Sequence, residues 1–516
     1  MTGTLLHDLL DGRAARTPDA VALTQGDRSL SYRQLADRSR AAARWLRGRG
    51  VRRGDRVLIL AGNDAGAVPL LFAASRLGAL YVLLSDQIRP FHLRHVLADC
   101  TPRVVVATPR AAPLVTTLGG DGDPPPVAGL DEAVWDPAPA PDVAAPDAAG
   151  PAGAAGPGTL PDAAPCLSVD PVSLIYTSGS TALPKAVVST HRQVLFAARA
   201  IQARLGYRAD DVVFCCLPLS FDYGLYQVFL ACLAGARLVL GDQTDAGPPL
   251  LGRLVDQRVT VLPLVPSLAV TLCRLTARAD RRPERLRLVT NTGAALTDAV
   301  SARLRALLPQ VDVVAMFGLT ECKRISVAEP NLYLTRPGSV GRPLPDTEVR
   351  IVGPDGTPLP PGETGELVVR GPHVMAGYWN APELTARRFR TDPFGQPVLH
   401  TGDRCRLDTD GYLYFVGRDD DIFKQRGVRV STTEIEGAAM DVPGVELAAA
   451  LPPDDGHGSR LAVTGDLTPE RLRKELADRL EEPKMPAECR VVPALPLNVN
   501  GKVDRRALRD GWDHVR

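Results

Sequence analysis

A short run of small hydroxyl residues, with one glycine and one lysine, could bind phosphate. It follows the apolar segment Val172–Tyr176, which is typical of a buried strand. Backbone N–H groups and hydroxyls in such a loop converge on anionic oxygens, and a lysine adds a compact charge. A polar surface turn would explain a shorter run equally well. This longer run predicts a phosphate-binding loop formed by Thr177, Ser178, Gly179, Ser180, Thr181 and Lys185.

Lysine is rare in this chain. Of the 60 basic residues only six are lysine, at positions 185, 323, 424, 474, 484 and 502, so 54 are arginine. Lysine is a compact point charge, whereas arginine presents a planar fork of donors. Lys185 lies at the predicted phosphate loop, which favours a site role for it, and Lys502 follows a glycine-containing loop at 498–501. A solvated surface lysine is the alternative for Lys502 taken alone.

One carboxylate interrupts an apolar segment. Asp222 is the only charged residue between positions 212 and 236, and a buried carboxylate is costly unless a cation meets it. It could bind a substrate ammonium, or it could cap a helix that begins at Tyr223. Farther along, the adjacent cations Lys323 and Arg324 could bind a second carboxylate of a substrate, and a solvated or phosphate-facing pair is the alternative.

Alternating helices and strands are expected to position these groups. Ser31 and Gln34 form a capping box that predicts a helix to about Arg49. Apolar runs at Arg56–Ala61, Leu80–Leu84 and Arg103–Ala107 predict buried strands, so we expect βαβ units and a mostly parallel sheet. Residues 121–165 are rich in Pro, Ala, Gly and Asp, which predicts a flexible surface insertion without strand or helix.

The pattern changes at about residue 345 to short strands with hairpin turns, at Val349–Val352, Glu366–Arg370 and Tyr412–Val416. A later amphipathic helix begins at Thr468-Pro469, with Leu472, Leu476 and Leu480 on one face. The sequence thus predicts an α/β fold. Residues 1–419 would form a large N-terminal domain of mixed and parallel sheets with helices and a β-rich portion, and residues 420–516 a small α+β domain.

Six motifs, taken in chain order, resemble the adenylate-forming superfamily. They are Tyr176-Thr-Ser-Gly-Ser-Thr181, Phe317-Gly-Leu-Thr-Glu321, Leu399-His-Thr-Gly-Asp403, Gly417-Arg-Asp-Asp420, Lys424-Gln-Arg-Gly427 and Asn500-Gly-Lys-Val-Asp-Arg505. The superfamily includes acyl- and aryl-CoA synthetases, luciferases and the adenylation domains of nonribosomal peptide synthetases. The resemblance implies two steps: a carboxylate attacks the α-phosphate of MgATP to give an adenylate and pyrophosphate, and a thiol then forms a thioester.

The resemblance also implies roles for individual residues. Lys502 would reach the α-phosphate and the substrate carboxylate, Thr320 a phosphate oxygen, and Glu321 the Mg²⁺ ion. Phe317 would stack on adenine, and Asp403 would accept the ribose hydroxyls with Arg418 beside it. Asp420 would be the hinge about which the small, mobile domain of residues 420–516 rotates, and Gly427 would line the thiol tunnel. Gly293, Gly318 and Leu319 would lie at the acid pocket.

The same resemblance favours an amino acid as the substrate. In amino-acid-adenylating relatives a Phe-Asp pair at the position of Phe221-Asp222 holds the ammonium, whereas fatty and aryl acid ligases usually lack the acid. With Lys323 and Arg324, the chain looks most like stand-alone enzymes that load carrier proteins, including β-amino acid enzymes of macrolactam pathways. The favoured substrate is a β-amino or amino-dicarboxylic, aspartate-like acid.

The acceptor and two other functions stay open. The chain ends eleven residues after Arg505, so we expect a phosphopantetheine thiol on a separate carrier protein, or CoA, to accept the acid. An acyl- or aryl-CoA ligase is one alternative. A non-catalytic nucleotide-binding relative is another, because Ala182 and Ala186 stand where family members usually have glycine.

Charge and cysteine usage exclude several classes of protein. The net charge of +1 argues against a nucleic-acid binder, and the nine cysteines include no C-x-x-C pair, which argues against a disulfide or zinc framework. The N-terminus lacks the long apolar core of a signal peptide, and no apolar stretch is long enough to span a membrane. We therefore expect a soluble, cytoplasmic protein.

Overall fold

The computed structural model describes residues 3–118, 125–135, 166–177, 183–418, 421–425, 428–454, 457–498 and 500–514. Among these residues no helix is long and apolar enough to cross a membrane. The chain divides into two compact units. The first unit comprises Met1–Thr244, Thr320–Lys323 and Gly371–Pro397, and the second comprises Asp245–Leu319, Arg324–Arg370 and Val398–Arg516. The predicted domain boundary between 419 and 420 lies outside the described residues and stays a prediction.

Strands run through both units. They are β1 (Val21–Gln25), β2 (Arg28–Ser31), β3 (Arg56–Leu60), β4 (Leu80–Leu84), β5 (Val104–Ala107), β6 (Val127–Gly129), β7 (Pro171–Thr177), β8 (Lys185–Thr190), β9 (Val212–Cys215), β10 (Arg237–Leu240), β11 (Val261–Leu264), β12 (Leu288–Asn291), β13 (Asp312–Phe317), β14 (Ser326–Val327), β15 (Arg342–Pro343), β16 (Glu348–Val352), β17 (Gly365–Arg370), β18 (Phe389–Thr391), β19 (Pro397–Leu407), β20 (Leu413–Arg418), β21 (Ile422–Gln425), β22 (Val428–Ser431), β23 (Val445–Leu451), β24 (Arg460–Gly465) and β25 (Glu488–Val491).

Helices alternate with these strands over most of the chain. They are α1 (Leu6–Arg16), α2 (Tyr32–Gly48), α3 (Ala67–Arg76), α4 (Pro90–Cys100), α5 (Ala112–Leu118), α6 (Leu130–Val134), α7 (His191–Leu205), α8 (Asp222–Ala234), α9 (Leu250–Asp256), α10 (Pro266–Ala277), α11 (Asp298–Leu307), α12 (Pro382–Arg388), α13 (Thr432–Met440), α14 (Pro469–Ala477) and α15 (Arg505–Asp510). The alternation confirms the predicted α/β class.

The first unit contains a mostly parallel sheet in the order β6-β5-β3-β4-β7-β8. The pairs β6-β5, β5-β3, β3-β4 and β4-β7 are parallel, and β8 returns antiparallel to β7. All five residues of β4 are buried, as expected of a strand covered on both faces. The capping box at Ser31 is present and opens α2. These elements confirm the predicted strands and the predicted first amphipathic helix.

The second unit contains the parallel strands β11, β12 and β13, followed by the short antiparallel strands β14 and β15. The β-rich portion is an antiparallel sheet in which β17 lies between β16 and β19, and β20 pairs with β19. Near the C-terminus, β24 lies between β23 and β25. Thr468 caps α14, whose Leu472 and Leu476 are fully buried, as the sequence predicts.

The prediction of a structureless insertion at 121–165 is wrong for the part that the structure describes. Residues 125–135 contain β6, which extends the parallel sheet beside β5, and α6. Three apolar side chains of this segment are buried, those of Leu130, Ala133 and Val134. Their burial stabilises the segment against the sheet although the flanking sequence is rich in Pro and Ala. Residues 121–124 and 136–165 lie outside the described residues.

Candidate active site

Lys185, Glu321 and Tyr378 form a hydrogen-bonded cluster in the first unit. The Lys185 ammonium donates to the Tyr378 hydroxyl over 2.8 Å, and that hydroxyl donates to Glu321 Oε1 over 2.7 Å. Lys185 Nζ also lies 3.4 Å from Glu321 Oε1. Burial raises the pKa of Glu321, but the Lys185 ammonium and the Tyr378 hydroxyl together hold that pKa below its usual value. The cluster therefore presents an ionised carboxylate beside a cation.

The backbone around this cluster is fixed by strand-like pairing. The N–H of Met375 donates to the carbonyl of Glu321 over 2.9 Å, and the N–H of Trp379 donates to the carbonyl of Ala186 over 2.9 Å. Tyr378 pairs with Val187 as an isolated β-bridge. Ala186 is buried within β8, in a strand register that needs no glycine. Its departure from the family pattern therefore introduces no backbone strain.

Tyr378 is a candidate site residue that the sequence analysis missed. It is separated by 57 residues from Glu321 and by 193 residues from Lys185, so no local spacing connects it to either. Its only sequence signal is a hydroxyl-bearing aromatic residue within Ala376-Gly-Tyr-Trp379. Sequence motifs and periodicity describe one helix, strand or loop at a time, so they do not reveal contacts between residues this far apart in the chain.

Asp222 and Lys323 form a second, buried pair in the same unit. Asp222 Oδ2 lies 3.9 Å from Lys323 Nζ, and the two side chains are 6% and 1% exposed. The ammonium also lies 6.0 Å from the centre of the Tyr226 ring, within reach of a cation–π interaction. A carboxylate and an ammonium thus lie next to each other within apolar surroundings.

The helix-cap interpretation of Asp222 and the solvated interpretation of Lys323 and Arg324 are wrong, whereas a phosphate-facing role of the two cations stays a prediction. Asp222 is the first residue of α8 and the N-cap is Phe221, so Asp222 does not cap the helix. Lys323 and Arg324 are 1% and 5% exposed, so neither is a solvated surface cation. Lysine and arginine are almost never fully buried unless they are paired, and Lys323 lies beside the Asp222 carboxylate.

Two backbone features lie at or next to the Asp222–Lys323 pair. A Cβ on Gly224 would come within 2.3 Å of the Pro218 carbonyl oxygen, so glycine allows the first turn of α8 to pack directly on the preceding loop. Lys323 adopts a left-handed conformation with φ of 61°. Such a conformation is strained for a residue with a Cβ and is common at functional sites.

In the second unit, Asp403 and Arg418 are cross-strand partners on β19 and β20. Arg418 Nε donates to Asp403 Oδ1 over 2.9 Å, and the N–H of Asp403 donates to Thr401 Oγ1 over 3.1 Å. Asp403 is buried, whereas the Arg418 side chain is 55% exposed, so the guanidinium is the part of the pair that reaches solvent.

The ring of Phe317 lies 5.3 Å from the ring of Phe415. The sequence analysis did not predict this aromatic neighbour.

Several predicted site residues lie at the carboxyl ends of the parallel strands in this unit. Gly293 follows β12 by two residues with φ of 87°, and Gly318 and Leu319 follow β13 directly. Lys502 lies in a tight turn in which the N–H of Asn498 donates to the Lys502 carbonyl over 2.7 Å. Ligands of open α/β sheets bind at the carboxyl edge of the strands, so these positions suit a binding site.

The remaining predicted site residues are described only in part. Thr177 is the last residue of β7, and Thr320 begins the short segment Thr320–Lys323 of the first unit. Ser178, Gly179, Ser180, Thr181 and Ala182 lie outside the described residues, as do Asp420 and Gly427.

Comparison with known proteins identifies relatives over most of the chain. The profile of the family described as AMP-binding enzyme matches residues 10–379. Feruloyl-CoA synthase of Amycolatopsis sp. is 31% identical over 507 residues, which cover 96% of this chain and 97% of that protein. The solved complex of VinN with L-aspartate is 40% identical, with a TM-score of 0.69, and covers 80% of this chain and 98% of VinN.

Other curated relatives are much longer than this chain. Isonitrile lipopeptide synthase of Mycobacterium tuberculosis is 32% identical over 523 residues, which cover 98% of this chain but 19% of that protein. Across this and three other large synthases the chain spans between 6% and 19% of the relative's length.

Proposed function

Because this chain belongs to the AMP-binding enzyme family, we propose that it activates an amino acid with ATP and passes it to a thiol. Family membership confirms the predicted resemblance, and it makes the chain an ATP-dependent, adenylate-forming enzyme. The proposed substrate is a β-amino or amino-dicarboxylic, aspartate-like acid. The proposed acceptor is the phosphopantetheine thiol of a separate carrier protein.

The buried pair of Asp222 and Lys323 carries the substrate proposal. An acid with one ammonium and a second carboxylate could place its ammonium against Asp222 and that carboxylate against Lys323, with Arg324 adjacent in sequence. Each buried charge would then keep an opposite partner, which compensates for its desolvation. A fatty acid offers neither charge and gains nothing from the pair. The similarity to VinN, which was solved with L-aspartate, supports the same class of substrate.

The cluster around Glu321 supports ATP binding. The ionised Glu321 carboxylate fits Mg²⁺, which prefers hard oxygen ligands and uses few from the protein. When bound, Mg²⁺ would neutralise phosphate oxygens during transfer. Lys185 would add a positive charge beside the same phosphates, and Thr320 would donate its hydroxyl to one of their oxygens.

The remaining predicted residues would place the nucleotide and the reacting carboxylate. Asp403 would accept the ribose hydroxyls, with Arg418 holding its carboxylate in position, and Phe317 would stack on adenine. Lys502 would approach the α-phosphate and the acid, where negative charge develops as the carboxylate attacks. As the carboxylate bonds to the α-phosphorus, the bond from that phosphorus to the pyrophosphate oxygen breaks. Pyrophosphate leaves and the adenylate remains.

An ATP–pyrophosphate exchange assay over aspartate, monocarboxylic β-amino acids, other α-amino acids, fatty acids and ferulate tests the substrate. We expect exchange with amino acids only, and the highest rate with an amino-dicarboxylic acid. Lys323→Met should raise KM for aspartate more than for a monocarboxylic β-amino acid. Asp222→Asn should weaken the binding of every amino acid, because all of them carry the ammonium. Exchange with ferulate or fatty acids alone would instead favour the CoA ligase, which the similarity to feruloyl-CoA synthase makes the second candidate.

The acceptor is tested separately. The adenylate formed in the first assay is offered to CoA and to a phosphopantetheinylated carrier protein, and thioester is detected by mass spectrometry. We expect the carrier thioester to form faster. No exchange with any acid would favour the non-catalytic alternative.

A further inference from the structure

The turn that carries Lys502 is attached to the first turn of helix α10. Ser267 Oγ donates a hydrogen bond to the carbonyl oxygen of Gly501 over 2.8 Å. Both residues belong to the second unit. The bonded carbonyl belongs to the peptide that continues directly into Lys502, so the Ser267 hydroxyl fixes the backbone from which the lysine side chain starts.

The position of Ser267 connects this contact to the rest of the site. It lies three residues after Leu264, where β11 ends, at the same carboxyl edge as Gly293 after β12 and Gly318 after β13. These three strands are parallel neighbours. The hydrogen bond therefore holds the Lys502 backbone at the edge of the sheet where the predicted acid pocket lies.

The shape of the turn supports a close fit. Gly501 has φ of 73°, and a Cβ at this position would lie 3.0 Å from Val265 Cγ2 and 3.5 Å from Ser267 Oγ. Glycine is thus favoured both by the backbone conformation and by the approach to α10. Within the turn, Asn498 accepts the N–H of Lys502 on its side-chain oxygen over 3.1 Å, so the turn has a defined shape of its own.

A second contact joins the same helix to the C-terminal segment. Arg274, two turns farther along α10, forms an ion pair with Glu446 of β23. This exposed pair contributes little energy by itself. Together with the Ser267 hydrogen bond it shows that α10 contacts this segment at two places.

We propose that Ser267 is a positioning residue for Lys502, and that its hydroxyl holds the lysine in the orientation needed for adenylate formation. The inference rests on the proposed role of Lys502. Ser267 itself touches neither ATP nor the acid in this proposal, and it acts only through the Gly501–Lys502 peptide. Misplacement of a reacting group by about 1 Å can reduce a rate by up to about 100-fold, so a single hydrogen bond at this point can matter.

The test compares three variants of the full chain in the exchange assay, with the acid that gives the highest wild-type rate. Ser267→Ala should lower kcat about tenfold, with KM for ATP and for the acid changed less than about twofold, since binding groups stay in place. Ser267→Thr keeps the hydroxyl and should restore most of the rate. Thr271→Ala is the matched control, because it removes a hydroxyl one turn later on α10, where it bonds the Ser267 carbonyl over 3.0 Å, and should leave kcat unchanged.

A double-variant cycle separates positioning from general damage to the fold. In a Lys502→Ala background, residual adenylate formation is followed over hours with radiolabelled ATP. Ser267→Ala should then have no further effect, since there is no lysine left to position. An equal loss in both backgrounds, or an unchanged kcat for Ser267→Ala, would overturn the inference while leaving the role of Lys502 intact. Full exchange by Lys502→Ala alone would overturn both.

Discussion

Removing the charge of Asp222 should destabilise the protein as well as inactivate it. Two unit charges at the 3.9 Å separation of Asp222 and Lys323 attract each other by about 4 kcal/mol at an effective dielectric constant of about 20. Asp222→Asn removes this attraction and leaves the ammonium of Lys323 buried without its carboxylate. Breaking one side of a buried pair costs about 3–5 kcal/mol, so we expect a loss of that size in the free energy of unfolding.

The measurement is a double-mutant cycle by urea unfolding. Asp222→Asn and Lys323→Met should each lower the free energy of unfolding, and the double variant should recover most of the loss because no buried charge is left. We expect a coupling energy of about 3 kcal/mol or more. A coupling energy near zero would refute the view that these two residues form an interacting buried pair.

The same double variant separates stability from recognition. It should fold almost as stably as the wild type and yet support at least about 100-fold less exchange with aspartate, a difference of about 2.7 kcal/mol in transition-state binding. Wild-type exchange by the double variant would show that the pair is structural and that the ammonium of the substrate is bound elsewhere.

Two further predictions concern Tyr378 and His373. Tyr378→Phe removes the hydroxyl between Lys185 and Glu321. The pKa of Glu321 should rise and the exchange rate should fall several-fold, and an unchanged rate would show that the cluster works without this bridge. Burial lowers the pKa of His373 to about 4 from 6.5, so between these pH values the unfolded chain binds a proton that the folded chain does not. Stability should therefore fall as the pH drops from 6.5 to 4, by about 1.4 kcal/mol per pH unit from this group. In His373→Leu this contribution should disappear, and an unchanged slope in urea titrations would count against it.

The sequence predicted those parts of the fold and site that local patterns encode. The capping box at Ser31, the buried strands β3 and β4, and the burial of Leu472 and Leu476 all follow from short-range periodicity and capping chemistry. Asp222 stood out because a single charge in an apolar segment needs a partner, and the structure supplies Lys323. The sequence did not reveal which cation that partner would be, because the pairing depends on the tertiary fold.

The misses have a common cause. Residues 125–135 were expected to lack structure because their neighbours are rich in Pro and Ala, but pairing of β6 with β5 and burial of Leu130 outweigh that composition. Tyr378 and Ser267 became visible only through contacts that span many residues. Their importance depends on which backbone atoms the fold brings next to them, and composition does not encode that.

The left-handed backbone of Lys323 also limits how the proposed substrate site can be altered by design. Any residue placed at position 323 must accept φ of 61°. Asn, Asp, His and Gly accept that conformation most readily, whereas Val, Ile and Thr resist it because of branching at Cβ. Asp at this position would add a second buried carboxylate beside Asp222, which destabilises the fold. A substitution library at position 323 should therefore yield folded variants mainly with Asn, His and Gly, so neutral replacements should be easier to obtain than β-branched or acidic ones.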